Sequence, residues 1–159
     1  LLGKEGMGFI YTMRNFDRAR PGVGAIGLGI AQGVFEAVLK FAGDKNLFNN
    51  QYIQRKIADM ATEIESARAL VYASARSIDA GIKNTTKPAS FAKLFPSDMA
   101  MRITLEAIEI MGPYGLLREY NIEKMLRDAK ITQIYEGTNQ IQRMQIALEI
   151  IRESGYRKE

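Results

Sequence analysis

Eight residues in the middle of the chain are spaced alternately by four and three positions: Ile53, Ile57, Met60, Ile64, Ala67, Val71, Ser74 and Ile78. This is a heptad seam, one stripe of a long α-helix, and it is the pattern of a helical bundle. At 1.5 Å per residue, the helix expected over residues 53–80 is roughly 40 Å long. A single stripe of that length is buried only by neighbours of similar length, so the rest of the chain has to supply them.

The flanking segments do so. Residues 1–8 hold Gly3, Gly6 and Gly8 and read as an entry strap. A short helix is expected over residues 9–16. Pro21 suits the first turn of a longer one, where its missing N–H costs nothing. Residues 23–42 are apolar on more than one face, as in a helix packed on several sides. Residues 43–51 read as a loop. Gly81 and Asn84 end the seam helix. Thr86 is expected to cap a third helix, which runs to about Met111 and is kinked by Pro96. Gly112-Pro113-Tyr114-Gly115 stops it. Asn121 caps a short helix to about Ala129, and a last helix spans residues 139–153, with Ile141, Met144, Leu148 and Ile151 on one face. The reading is all-α: an antiparallel, up-down-up-down four-helix bundle with short extra helices, one domain over residues 1–159, and a C-terminal tail at 154–159.

The length of 159 residues suits one domain with one core. The chain has no His, Cys or Trp. That excludes a Ser-His-Asp triad, a thiolate nucleophile, a disulfide and any imidazole or thiolate metal site. Acid–base work is left to carboxylates, Lys or Tyr. The net charge of +4 is spread along the chain, with local basic stretches only at residues 14–20 and Arg157-Lys158. Neither forms a nucleic-acid motif. Apolar runs are interrupted by charges short of a membrane span, and the N-terminus has no signal-peptide pattern.

Four motifs have both a functional and a plain reading. Gly22-Val23-Gly24-Ala25-Ile26-Gly27 matches G-x-G-x-x-G, with Asp44 at the distance of a ribose-binding acid. The segment before it is no strand, however, and a dinucleotide fold requires one. Close approach of another backbone or a ligand is the better account of Gly22, Gly24, Gly27, Gly29 and Gly33. Ile134-Tyr135-Glu136-Gly137-Thr138 is either a site or an exposed loop acid. Asp17 and Arg20 are either a ligand pair or a capping Asp with a solvated Arg. Residues 126–130 alternate in charge like an exposed helix face, and the eight Met residues are most simply core filler.

Taken together and in order, these segments closely resemble the C-terminal helical domain of the flavin-dependent acyl-CoA dehydrogenases. The resemblance rests on Leu2-Gly3-Lys4-Glu5-Gly6, Phe16-Asp17-Arg18-Ala19-Arg20, Leu28-Gly29-Ile30-Ala31-Gln32, residues 57–65, Ala92-Lys93-Leu94-Phe95, and above all the block from Leu126 to Arg143. It implies a four-helix-bundle domain whose complete enzymes add an N-terminal helical domain and a β-domain, with residues 1–8 entering from the latter. It implies α,β-dehydrogenation of an acyl-CoA thioester, with FAD as hydride acceptor and Glu136 as the α-proton base. Ala19 stands where some members place the base instead.

By the same resemblance, Asp17, Arg20 and Gly137 contact substrate. Thr138 and Gln140 contact the flavin, as does Lys45, which stands where Arg is usual. Residues 109–113, with Glu109, Gly112 and Pro113, hold the adenosine end of FAD across a subunit boundary. Glu109 stands for a usual Gln, Pro113 for Gly and Leu148 for Arg, and the loop after Phe48 is short. The resemblance further implies a homodimer or homotetramer, electron transfer flavoprotein as partner, and a bacterial or archaeal cytoplasm, with the mitochondrial matrix as the alternative. For the chain alone, little FAD binding and little activity are expected. The competing expectation is a non-catalytic helical oligomerisation module.

Overall fold

The computed structural model describes residues 1–156; Arg157-Lys158 and the end of the expected tail lie outside the described residues. Five α-helices follow one another: α1 Gly8–Asp44, α2 Gln51–Asp79, α3 Thr86–Met111, α4 Ile122–Thr132 and α5 Asn139–Glu153. Two 3-10 turns, Gly112–Leu116 and Arg118–Tyr120, join α3 to α4. There is no strand among the described residues.

Cross-helix bonds give the directions. Arg68 of α2 donates to Gln32 of α1, and Arg102 of α3 pairs with Glu63 of α2, so each helix runs against its predecessor. Gln133, just beyond α4, donates to Asp98, and Asn84, just before α3, donates to Glu149 of α5. Thus α4 and α5 together run back along α3 as a fourth leg, interrupted at residues 133–138. This is the expected up-down-up-down bundle.

In that topology α1 and α3 are parallel, and they lie unusually close. A Cβ on Gly24 would sit 1.8 Å from the Ala92 carbonyl oxygen, and one on Gly27 would sit 3.0 Å from that of Pro96. Pro96 has no N–H, so the carbonyl four residues back, that of Ala92, lacks its helical donor. Gly24 brings its backbone against that carbonyl, where a Cα–H contact is the available compensation. Gly24 and Gly27 of the G-x-G-x-x-G match therefore serve helix packing, whereas Gly22 is exposed with open space where a Cβ would be.

The core runs along α1, α2 and α3. It includes Val34 and Val38, Met60 and Ile64, Met99 and Ile103, and Ile122 of α4 closes one end. The seam is inward over most of its length: Ile53, Met60, Ile64, Ala67, Val71 and Ser74 are buried.

Several expectations are corrected. There is no separate helix over residues 9–16: α1 is continuous, with Pro21 buried inside it. The proline ring is compatible with helical φ, one lost hydrogen bond is a local cost, and packing on three helices sustains the rest. Joined in this way, α1 contains one stretch long and apolar enough to cross a membrane by length and composition alone, and 39% of that stretch is buried inside the bundle. Thr86 does not cap α3. The cap position is Thr85, which makes no side-chain cap bond, and Asn84 Oδ1 accepts from the Thr86 N–H instead. Asn121 precedes α4 in a left-handed conformation without a side-chain cap, and α4 continues past Ala129 to Thr132. Met144 is not core filler, being 58% exposed. Ile141, Leu148 and Ile151 share its outward face, while Asn139, Gln142 and Glu149 are the buried residues of α5.

Candidate functional site

The break in the fourth leg carries the unusual backbone. Glu136 has φ +54° and Gly137 φ +93°, both left-handed. For Gly137 this is natural; for Glu136 it is a sparsely populated setting that surrounding contacts must hold. Those contacts come from α3 and α5. Lys93 Nζ donates to the Gly137 carbonyl at 2.9 Å and to Asn139 Oδ1 at 2.6 Å. Gln142 Nε2 donates to the same Gly137 carbonyl at 2.9 Å and to that of Glu136 at 3.3 Å. Asn139 Nδ2 in turn donates to Ser97 and to Asp98. A Cβ on Gly137 would lie 2.8 Å from Gln142 Nε2, so a larger residue would displace that amide from its bonds to the turn and would be strained at this φ. Thr138 caps α5, its hydroxyl accepting from the Ile141 N–H.

The Glu136 carboxylate is electrostatically coupled to two cations, Arg20 and Lys93. Its Oε2 is buried and has no partner, and the same is true of Arg20 Nε. Arg20 is only 3% exposed, not solvated. It donates from Nη1 to Asp17 Oδ1 at 2.8 Å, and Asp17 Oδ2 accepts from the Thr86 hydroxyl at 2.8 Å. Burial lowers the pKa of Arg20, opposed by Asp17 and Glu136. Lys93 is lowered to about 8, first by burial; Asp98 and Glu136 oppose the shift and Arg20 adds to it. Tyr135 is raised, first by burial and then by Glu136. One carboxylate with an open valence thus lies within the field of two buried cations.

Two clefts adjoin this centre. One of about 350 Å³ is polar and is lined by Asp98, Lys130, Gln133, Thr138, Gln140 and Arg143. The other, about 670 Å³, opens beside Asp17 and is lined by Tyr11, Arg14, Arg18 and Lys83.

Of the residues singled out from the sequence, Asp17, Arg20, Glu136, Gly137, Thr138 and Gln140 come together. Lys45, Glu109, Gly112 and Pro113 do not join them. Lys45 follows α1 by one residue, 25 positions beyond Arg20, which is about 37 Å of helix rise. There its Nζ lies 4.8 Å from the centre of the Tyr114 ring, beside the 3-10 turn of Gly112 and Pro113. Gly112 has φ +58°, with open space where a Cβ would be. Glu109 lies 3.7 Å from Lys56, which also pairs with Glu106 at 3.1 Å and is raised in pKa chiefly by that bond. Lys93, Ser97 and Gln142 were not assigned site roles from the sequence, and Thr86 was read only as a helix cap. The one available signal was a Lys set among small residues at inward helical spacing, Ala89, Ala92, Lys93 and Pro96.

Comparison with known proteins fits this arrangement. Residues 6–151 match the family described as acyl-CoA dehydrogenase, C-terminal domain. A cyclohexane-1-carbonyl-CoA dehydrogenase from Geobacter metallireducens is 50% identical, over 97% of this chain and 42% of its own length. The structure of butyryl-CoA dehydrogenase from Megasphaera elsdenii superposes with TM-score 0.90 at 42% identity, covering 94% of this chain and 40% of that one. A structure described as the electron transferring flavoprotein of Acidaminococcus fermentans, in work on flavin-based electron bifurcation, gives 0.91 at 42% identity with the same coverage. The chain thus spans about two fifths of the length of the relatives it matches.

Proposed function

The chain belongs to the acyl-CoA dehydrogenase C-terminal domain family, and from that premise we propose that it supplies the base and the thioester-binding face of an enzyme that desaturates acyl-CoA at the α,β position. The observation that carries this reading is Glu136: a carboxylate on a strained left-handed turn, with a buried, unpartnered oxygen, electrostatically coupled to two buried cations.

The chemistry asks little else of the protein. The thioester acidifies the α-carbon. Glu136 takes the α-proton as the α C–H bond breaks, and the developing negative charge lies in the field of Arg20 and Lys93. The β-hydrogen leaves with its electron pair and a C=C bond forms. A bound flavin supplies the acceptor for that hydride. Arg20, Asp17 and Thr86 form a bonded set that orients substrate, and the cationic cleft of Arg14, Arg18 and Lys83 suits the phosphates of a CoA ester.

The residues present fit FAD in two groups. Thr138 and Gln140, with Lys130 and Arg143 nearby, suit one part of the cofactor. Lys45, Gly112 and Pro113 suit another, with the charge of Glu109 partly neutralised by Lys56. About 22 Å of helix rise along α3, from Ser97 beside Asn139 to Gly112, separates the groups; on this reading the second group serves the site of another subunit, as the family resemblance implies, and FAD is held weakly by one copy of this domain. The outward apolar face of α5 supports a homodimer or homotetramer, and it also favours the second reading, a non-catalytic interaction module. Similarity to the bifurcation-related structure supports electron transfer flavoprotein as acceptor, and the bacterial relatives support a cytoplasmic location.

The test is made in the complete enzyme carrying this domain. Glu136→Gln should abolish exchange of the α-proton of an acyl-CoA while leaving acyl-CoA binding in place. Exchange at the parent rate would remove Glu136 from the role, and absence of both flavin and acyl-CoA binding in the parent would favour the interaction module.

A further inference from the structure

Lys93 is the largest fully buried side chain among the described residues, and beyond the field of its charge the reaction outlined above gives it no part. A buried ammonium is expensive: its charge is removed from water, and only well-placed acceptors compensate. A Met or Leu of similar volume would fill the space without that cost, so the charge must do something that packing does not.

Both acceptors point to the same segment. One is the carbonyl of Gly137, the residue after Glu136; the other is Asn139 Oδ1, at the first residue of α5. Both bonds hold the C-terminal side of the turn on which Glu136 stands. Gln142 shares the Gly137 carbonyl from the other side, so the turn is gripped by one neutral donor and one charged one. The charged groups around the ammonium are Asp98 on its own helix, Arg143 of α5 paired with Asp98, Arg20 with Asp17 from α1, and Glu136 itself.

We propose that Lys93 is a positioning residue for Glu136: its two bonds to the Gly137 carbonyl and the Asn139 side chain fix the left-handed Glu136–Gly137 turn, and so fix where the carboxylate meets the α-carbon. The proposal rests on Glu136 being the base. A side chain that fixes the base without touching substrate alters turnover and leaves substrate affinity largely alone.

The experiment compares Lys93→Met, Lys93→Gln and Glu136→Gln in the complete enzyme, measuring kcat, KM for an acyl-CoA, α-proton exchange and thermal midpoint. Lys93→Met should fold with an undiminished midpoint. It should lose about 10- to 100-fold in kcat and in exchange, the range expected of a base displaced by up to about an ångström, with KM little changed. Lys93→Gln, which keeps a donor, should recover part of the loss. Parent-rate exchange in folded Lys93→Met overturns the proposal. If Lys93→Met does not fold, Lys93→Gln decides: reduced exchange in the folded variant supports the proposal, and parent-rate exchange overturns it. Failure of both to fold makes the role purely structural and also overturns it. Exchange surviving in Glu136→Gln defeats the base assignment itself. Exchange lost there but kept in Lys93→Met defeats only the role of Lys93.

Discussion

Gly24 of α1 lies against the carbonyl of Ala92 in α3, at the place where Pro96 leaves that carbonyl without its helical donor. The absent side chain on one helix and the absent N–H on the other form a single contact. Gly24→Ala would put a methyl 1.8 Å from the oxygen, and the two helices would have to separate. Such overpacking costs roughly 1–3 kcal/mol or more, so a clear drop in urea midpoint is expected. Gly29→Ala is the control. It has open space around it and should hold or gain stability, by up to about 1 kcal/mol from helix propensity.

Gly137→Ala should damage the site more than the fold. The new methyl would meet Gln142 Nε2 at 2.8 Å on a backbone with φ +93°. The expected outcome is a fall in kcat of at least about tenfold, as for a misplaced catalytic group, with a smaller loss of thermal midpoint. Steady-state kinetics beside a melting curve distinguish this from general destabilisation.

Thr86→Val removes the hydroxyl that donates to Asp17 Oδ2 while keeping shape. Asp17 then keeps Arg20 on one oxygen only. A loss of about 1 kcal/mol in stability is expected, the net worth of one such bond. On the function proposed above, Asp17 and Arg20 hold substrate and do not take its proton, so KM for acyl-CoA should rise with little change in kcat. Initial-rate measurements over a range of substrate concentration check this.

The burial of Lys93 predicts a pH-dependent stability. Its folded-state pKa, about 8, lies below its ordinary 10.5. Between those values the unfolded chain holds a proton that the folded chain has released, so stability rises with pH in that window. The cost of burying the ammonium is fully present below pH 8 and gone above 10.5. The stability of Lys93→Met relative to the parent should therefore be greatest below pH 8 and fall as pH rises to 10.5, by at most about 1.4 kcal/mol per pH unit for one proton. Urea titrations of both proteins from pH 7 to 10.5 read the difference.

Met144→Glu with Leu148→Glu places two charges on the outward face of α5, away from the buried Gln142 and Glu149. The monomer fold should tolerate both. Sedimentation should show a smaller assembly than the parent, and an unchanged sedimentation coefficient would exclude this face from the self-contact.

The seam from Ile53 to Ile78 announced a bundle because its period is local and repeats. The turn at Glu136 and Gly137 was visible as a motif for the same reason: its residues are adjacent. What lay hidden was relational. Lys93 is 43 positions from Glu136, and no local pattern says that a lysine on an apolar helix reaches into another segment. Pro21 misled for a related reason. Proline lowers local helix propensity, but α1 is held by three neighbours, and tertiary packing outweighed one missing bond. On α5 the apolar stripe gave the periodicity but not the direction, because an exposed apolar face and a buried one have the same spacing.

The Gly24–Ala92 contact also acts as a gauge. Gly24 is one turn beyond Arg20, and Ala92 is the residue before Lys93, so this close contact of α1 with α3 lies near both cations coupled to Glu136. The interaxial spacing of two helices thereby sets the separation of two charges, and with it the potential felt by the carboxylate. A methyl group added at that seam would alter the potential at Glu136, the base proposed above, without touching it. Double-mutant cycles between Gly24 and Lys93 should accordingly be non-additive in turnover.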